Sequence, residues 1–142
     1  MKHTDPPIVV EDKINASAEK VWNAITQLDE MLLWYFDNID NFQPVIGSRS
    51  RFPVVSEDRT FTHLWEVTRV IPNELISYTW QYEEYPGESM LTFALEPGED
   101  SVRVRIITEV LQDFPDDIPE FKRESCRGGW EYFMGRLIKY LS

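Results

Sequence analysis

Glu66 and His63 are the two side chains of this sequence best suited to acid–base chemistry. A carboxylate buried in a cavity has a raised pKa and can exchange protons near neutral pH, and histidine titrates close to neutrality without such help. Residues three apart on a strand face opposite sides of a sheet, so the interior receives only one of the two. Glu66 is then either a buried acid–base group or a solvated carboxylate, and we expect the second. For His63 we expect a packed or surface histidine, because no carboxylate lies two positions away.

Cys126 and the pair Gly128-Gly129 lie in a stretch with helical periodicity. Two glycines inside a helix cost roughly 2 kcal/mol relative to alanine, so a structural or functional reason should offset them. The helix either passes closely over a ligand or over Trp80, or it packs tightly on a sheet or kinks, and we favour packing or a kink. Cys126 projects toward the same side as Trp130, which predicts a buried thiol. A reactive thiol would need positive charge beside it.

The short motifs that bind metals, phosphates and cofactors are missing from the sequence. It has no metal-ligand spacing, phosphate-binding glycine loop, nucleophile elbow or dinucleotide fingerprint. We therefore predict no metal site and no cofactor. The absence of these motifs makes an enzyme less expected but does not exclude one.

The net charge of the protein limits the kinds of partner that it can bind. The net charge is −11, from 14 basic and 25 acidic residues, and such a field repels nucleic acid and anionic membranes. A single cysteine excludes an internal disulfide and favours a reducing compartment. No apolar run reaches the roughly 20 residues of a membrane span, and the first residues lack a signal-peptide core. We predict a cytoplasmic protein with no nucleic-acid partner and no membrane span.

The clearest secondary-structure pattern runs from about residue 118 to residue 141. Apolar side chains recur there at helical spacing and form one face; they are Trp130, Phe133, Met134, Leu137, Ile138 and Leu141. Asp116, Asp117, Pro119 and Glu120 are typical of a helix start. The pattern predicts one helix of roughly 36 Å, whose apolar face needs a broad partner.

The rest of the chain supplies that partner as strands. The patterns predict strands at 8–14, 49–55, 60–71, 75–82, 89–95 and 102–111, with two short helices between the first two of them. Short turns between the later strands favour an antiparallel meander with one face covered. With 142 residues, the chain is predicted to be one α+β domain over 1–142.

Five motifs in this order resemble a known family. They are INASAEKVW at 14–22, IGSRSRF at 46–52, EV at 66–67 with IPNELISYTW at 71–80, LTFALEP at 91–97, and Gly129-Trp130 followed by Leu137. Together they resemble the START-like (SRPBCC) superfamily, in the branch similar to the C-terminal domain of the activator of the ninety-kilodalton heat-shock protein's ATPase. The resemblance extends over nearly the whole chain.

The resemblance implies a helix-grip fold. In this fold a curved antiparallel sheet of about six strands wraps around a long C-terminal helix, two short helices follow the first strand, and a cavity lies between sheet and helix. The sequence departs from the family pattern at Ser48 and Trp65, where glycines are usual, and at 100–102. Trp65 matters most, because the largest side chain must either fill part of the interior or cover the outer face of the sheet.

If the resemblance holds, one group of residues lines the cavity. The candidate ligand-binding residues are Trp34, Phe36, Phe52, Tyr78, Trp80, Phe93, Cys126, Gly129 and Trp130. Buried tyrosine and tryptophan need partners for their O–H and N–H groups, which a pocket can supply. The alternative, an ordinary aromatic core, is the better interpretation for any single one of them.

Three functions stay open, because one fold serves many activities. The first is binding of a small, mostly apolar molecule between the sheet and the C-terminal helix. The second is a co-chaperone-like interaction module that binds a chaperone or another protein through its surface. The third is a cyclase, dehydratase or hydrolase that uses Glu66 or His63. The protein is expected to be a monomer or a homodimer.

Overall fold

A computed structural model describes all residues from 1 to 142. Its strands are β1 (Ile8–Ile14), β2 (Arg49–Ser56), β3 (Arg59–Ile71), β4 (Leu75–Tyr82), β5 (Tyr85–Pro97) and β6 (Val102–Gln112). Its helices are α1 (Ala18–Thr26), α2 (Leu28–Trp34) and α3 (Arg123–Tyr140), with a 3₁₀ turn at Pro119–Phe121. This order confirms the α+β class and the two short helices after the first strand.

All six strands form one antiparallel sheet in the order β1-β6-β5-β4-β3-β2. β2 to β6 follow one another as a meander, and β1 pairs with β6. Irregularities in the β3–β4 and β4–β5 pairings increase local twist and bending. The sheet curves around α3, which is the helix-grip arrangement that the resemblance implies. None of the helices has the length and apolarity that crossing a membrane requires.

The long C-terminal helix begins later than its sequence suggests. Lys122 has an extended conformation (ψ 147°), so α3 starts at Arg123 and not at residue 118. Phe121 and Trp130 are nine residues apart, which places them on opposite sides of a straight helix. The break lets Phe121 pack with Phe61 and Phe114, while Trp130 packs in the main core. Pro119 and Glu120 belong to the 3₁₀ turn, and Asp116 and Asp117 lie in a separate turn before it, so none of them starts α3.

Two further boundaries differ from the sequence-based prediction. The sequence pattern extends the second short helix to about Phe36, but α2 ends at Trp34, because Tyr35 leaves the helical region (φ −100°, ψ −125°). β5 begins at Tyr85 and not at 89, so the strand includes Gly87. Gly87 has φ +119°, and a Cβ there would collide with the ring of Phe114. Glycine at this position therefore allows the close approach of Phe114.

The interior face of β3 carries His63, Trp65 and Val67, all of which are buried. Trp65 is only 2% exposed and packs against the rings of Tyr35 and Trp80, with centroid distances of 5.6 and 5.2 Å. Trp65 therefore fills part of the interior and does not cover the outer face of the sheet. It fills space where the family pattern has a glycine.

Candidate functional site

A cavity of about 180 Å³ lies between the sheet and α3. The sheet contributes His63, Trp80, Tyr82, Leu91 and Thr108 to its wall. An engineered apolar cavity of roughly 150 Å³ holds benzene, so this volume corresponds to about one aromatic ring.

Helix α3 forms the opposite wall, through Ser125, Cys126, Gly129, Trp130 and Phe133. Ser125 and Gly129 are one helical turn apart, and both are exposed to solvent. The cavity therefore has a mouth beside these two residues. Cys126, Trp130 and Phe133 turn inward because they belong to the apolar side of the helix.

Gly129 has open space where a side chain would stand. A Cβ added there would have no heavy atom within 4 Å, and the same holds for Gly128. Tight packing of the glycines on the sheet, which the sequence favoured, is therefore wrong. The helix runs without interruption from Arg123 to Tyr140, and a kink at the glycines stays a prediction. At Gly129 the absent side chain leaves the mouth of the cavity clear.

The far end of the cavity is closed by the connection between β6 and α3. Phe114 and Phe121 lie there, together with Glu120. Glu120 accepts hydrogen bonds from the Arg59 guanidinium at 2.9 and 3.0 Å and from the Ser56 hydroxyl at 2.8 Å. The hydrogen bond from Arg59 is the main reason that the pKa of Glu120 is lowered. This two-point contact fastens the connection to β2 and β3 and holds Phe121 at the end of the cavity.

His63 reaches the cavity as a neutral, buried side chain. It is 5% exposed, its ring stacks on Phe52 at 4.9 Å, and its Nδ1 lies 2.9 Å from the carbonyl oxygen of Phe61. That carbonyl assigns the proton to Nδ1, so Nε2 is an acceptor. Burial lowers the pKa of His63 to about 4, against the opposing effects of that carbonyl and of Glu84. A pKa so far from neutrality makes it a weak general base.

Burial of His63 predicts a pH-dependent stability. Its folded pKa is about 4 against a usual 6.5, so the unfolded chain binds more protons in that range. The contribution of neutral His63 to the free energy of unfolding is complete above pH 6.5. It is lost as the pH falls toward 4, by about 2–3 kcal/mol at pH 4.5. We expect His63→Phe to remove this loss, as measured by urea unfolding between pH 7 and 4.5.

Above pH 4.5 the pH dependence of stability reports His63 more than the carboxylates. The pKa values of Glu84, Asp113 and Glu120 are lowered from their usual ones, so their contributions to stability are lost mainly below pH 4.5. The comparison of wild type with His63→Phe cancels the part that is lost above it. An unchanged pH slope in His63→Phe would contradict the neutral, buried state of His63.

Two other polar side chains of the wall, Tyr82 and Cys126, are also uncharged at neutral pH. The Tyr82 hydroxyl accepts a hydrogen bond from Trp80 Nε1 at 2.9 Å, and burial raises its pKa. Burial likewise raises the pKa of the Cys126 thiol.

Glu120 is the one charged side chain of the wall, and Arg59 already pairs with it. The wall also includes Met1, whose N-terminal ammonium donates a hydrogen bond to the Phe121 carbonyl at 3.1 Å. No cluster of His, Cys, Asp or Glu side chains is arranged to hold a metal ion.

Five of the nine candidate ligand-binding residues line the cavity, namely Phe36, Trp80, Cys126, Gly129 and Trp130. The other four, Trp34, Phe52, Tyr78 and Phe93, lie in the core outside the cavity wall. Protein atoms already satisfy their polar groups. Trp34 Nε1 donates to the Ala24 carbonyl at 2.7 Å, and the Tyr78 hydroxyl bonds the Tyr35 hydroxyl at 3.0 Å.

Glu66 faces outward. Its carboxylate pairs with Arg49 at 3.0 Å, and its side chain is 45% exposed. The solvated alternative therefore describes it, and the cavity contains no carboxylate from this strand face. His63 is the packed histidine that the sequence suggests, with the addition that it touches the cavity.

Several wall residues were missed by sequence reasoning. Tyr82, Thr108 and Phe133 follow the strand or helix periodicity of neighbouring candidates, so a signal existed. No sequence signal marked Phe114 and Phe121. The helix was predicted to begin at about residue 118, so the connection between β6 and α3 that carries these two residues was not recognised.

A curved sheet that grips a C-terminal helix, with an apolar cavity between them, defines a helix-grip protein. Residues 15–142 match the family profile described as Activator of Hsp90 ATPase homolog 1-like protein, and the chain belongs to this family. No curated protein matches the chain in sequence.

Solved structures share the fold. Protein MLL2253 from Mesorhizobium loti is 28% identical, with 96% of each chain covered and a TM-score of 0.75. The Aha1 dimer from Colwellia psychrerythraea, solved in solution, is 24% identical, with 96% of each chain covered and a TM-score of 0.76. Protein CV1439 from Chromobacterium violaceum is 19% identical, with 95% of this chain and 96% of that chain covered and a TM-score of 0.80.

Proposed function

We propose that this protein binds a small, mostly apolar molecule in the cavity between the sheet and α3. The observation that carries the proposal is a cavity of about 180 Å³ with a largely aromatic wall and an open mouth at Gly129. The surrounding interior is filled, even at Trp65, so this space is a local feature and not loose packing. Spaces of this kind, concave and apolar with a few polar groups, are typical of ligand sites.

The size of the cavity limits the affinity that apolar contact alone can provide. An aromatic ring buries roughly 150 Å² of surface, which gives about 4 kcal/mol at 25 cal/mol per Å². That free energy corresponds to a Kd near 1 mM before ordering costs are subtracted. A tighter ligand needs either a hydrogen bond inside the cavity or further contacts at the mouth.

A second candidate function is binding to another protein through the surface. Leu33 and Tyr132 are exposed hydrophobic side chains, at 63% and 62%, and both border the groove where Arg136 lies over the Tyr132 ring. The family description names an activator of Hsp90 ATPase, and the Colwellia relative is a dimer in solution. These observations support a chaperone partner or a second copy of the chain. No observation favours the enzyme, because Glu66 lies outside the cavity.

Titration with toluene tests the ligand-binding proposal. We expect toluene at millimolar concentration to shift the indole N–H resonances of Trp80 and Trp130, whose rings touch the cavity. The resonances of Trp22 and Trp34 should move much less, because these rings lie outside its wall. The measurement is a set of ¹⁵N–¹H correlation spectra at increasing toluene concentration.

The internal tryptophan controls make the result decisive. Saturable shifts confined to Trp80 and Trp130 support the proposal. Shifts at Trp34 and the exposed groove alone, or no shift at all, would overturn it and favour the surface-binding candidate.

A further inference from the structure

His63 is a buried side chain of which one ring nitrogen has no partner in the protein. Its Nδ1 donates to the Phe61 carbonyl of its own strand at 2.9 Å, and Nε2 makes no hydrogen bond. Two other side-chain atoms are unpaired and fully enclosed, Trp65 Nε1 and Thr108 Oγ1, and Nε2 is not one of them. His63 belongs to the cavity wall, so Nε2 is open to the cavity. Buried polar atoms are nearly always paired, so an unpaired acceptor at this position requires an explanation.

Four aromatic rings fix the direction in which Nε2 points. The rings of Phe36, Phe52, Trp80 and Tyr82 have centroids between 4.9 and 5.2 Å from that of His63. Nδ1 is bonded to the backbone of β3, and Nε2 lies at the end of the ring that is farther from the backbone, so Nε2 projects away from the sheet. The acceptor is therefore held in one orientation before a ligand arrives, and binding does not have to order it.

Histidine is the polar member of an otherwise apolar row on β3. The interior-facing residues of this row are Phe61, His63, Trp65 and Val67, all of them buried. His63 is the one member of the row that lines the cavity. Phenylalanine would continue the row without enclosing a titratable group, whose burial lowers stability at acidic pH. Packing alone therefore does not account for histidine at this position.

The other polar groups inside the wall are in use or out of reach. The Glu120 carboxylate is paired with a guanidinium, and the Tyr82 hydroxyl oxygen accepts a bond from an indole N–H. The Thr108 hydroxyl is fully enclosed, and the Met1 ammonium is a donor. His63 Nε2 is therefore the side-chain acceptor that a ligand inside the cavity can reach without displacing an existing bond.

We propose that the cavity selects a one-ring molecule with an O–H or N–H group, which donates a hydrogen bond to His63 Nε2. This inference rests on the proposed function and names the ligand class of the same site and the residue that recognises it. The ring lies among the aromatic side chains, and its donor satisfies the acceptor that protein atoms leave unpaired. A ring of the same size without a donor leaves Nε2 unpaired and binds more weakly. In this role His63 is a fixed acceptor and not a general base.

Paired titrations with phenol and toluene at pH 7 test the inference. The two probes have nearly the same shape, and only phenol carries a donor. In long-range ¹⁵N–¹H spectra of the wild-type protein, we expect phenol to shift the Nε2 resonance of His63 and toluene to leave it nearly unchanged. We expect His63→Phe to lower the preference for phenol over toluene about tenfold, which corresponds to 1.4 kcal/mol. The Trp80 and Trp130 indole resonances give the dissociation constants of both probes.

Failure of this inference and failure of the proposed function give different results. If both probes bind and His63→Phe leaves the ratio of their dissociation constants unchanged, the inference is overturned while ligand binding stands. If the wild-type protein binds neither probe, the proposed function fails, and the inference with it.

The histidine resonances of the wild-type protein decide the question even if His63→Phe does not fold. His3, the other histidine, is the internal control, because it is exposed, pairs with Asp113 at 2.7 Å and lies outside the cavity wall. A shift of His63 Nε2 by phenol, without a comparable shift at His3, supports the inference. An equal response of the two histidines, or a response of His63 that is the same for phenol and toluene, would overturn it.

Discussion

Replacement of Gly129 by leucine is expected to abolish toluene binding while the fold is retained. Gly129 is exposed at the mouth of the cavity, and a Cβ there would meet no heavy atom within 4 Å. A leucine side chain can therefore be accommodated without displacing the helix, and it occupies the entrance. Leucine also favours the helix by roughly 0.5–1 kcal/mol over glycine. Toluene titration and urea unfolding of the same preparation measure the two effects.

Gly128→Leu is the matched control for this experiment. Gly128 precedes Gly129 in α3, is exposed, and likewise has no heavy atom within 4 Å of the position that a Cβ would take, but it does not line the cavity. The control should show the same gain in helix stability with unchanged toluene binding. Normal toluene binding by Gly129→Leu would exclude this segment of α3 from the site. Loss of binding in both variants would indicate an effect on the helix as a whole.

Local patterns were sufficient to predict most of the fold. The β4 boundaries agree with the prediction, because alternation and turn residues define both ends. Ser17 caps α1 by accepting a hydrogen bond from the Lys20 amide, as serine commonly does at a helix start. The predicted start of α3 was wrong because acidic residues and proline favour a 3₁₀ turn as well as a helix start. Only the separate packing of Phe121 decides between them, and that contact is tertiary.

The site was less predictable, because its residues are chemically the same as those of the core. Trp34 and Trp80 are both buried tryptophans whose N–H groups are paired, yet only Trp80 touches the cavity. The two faces of β3 both carry apolar residues, so alternation could not show that Glu66 points outward.

Trp65→Ala is expected to enlarge the cavity and to destabilise the protein. The Trp65 ring lies behind two wall residues, Phe36 at 6.0 Å and Trp80 at 5.2 Å between centroids. Truncating a buried tryptophan costs about 3–5 kcal/mol. Part of this loss is offset, because Trp65 Nε1 is buried without a partner and the variant removes it. We expect a net loss of about 2–4 kcal/mol in urea unfolding, together with new binding of naphthalene, which the wild-type cavity is too small to hold.

Trp22→Ala distinguishes a larger site from a looser protein. Trp22 is also a buried tryptophan of the main core, but its ring does not touch the cavity wall. It should lose comparable stability and gain no naphthalene binding. If both variants bind naphthalene, the new affinity reflects general loosening of the core. If only Trp65→Ala binds it, then the tryptophan at the usual glycine position sets the upper size of the ligand. In that case a single substitution within a shared fold determines whether one ring or two can enter.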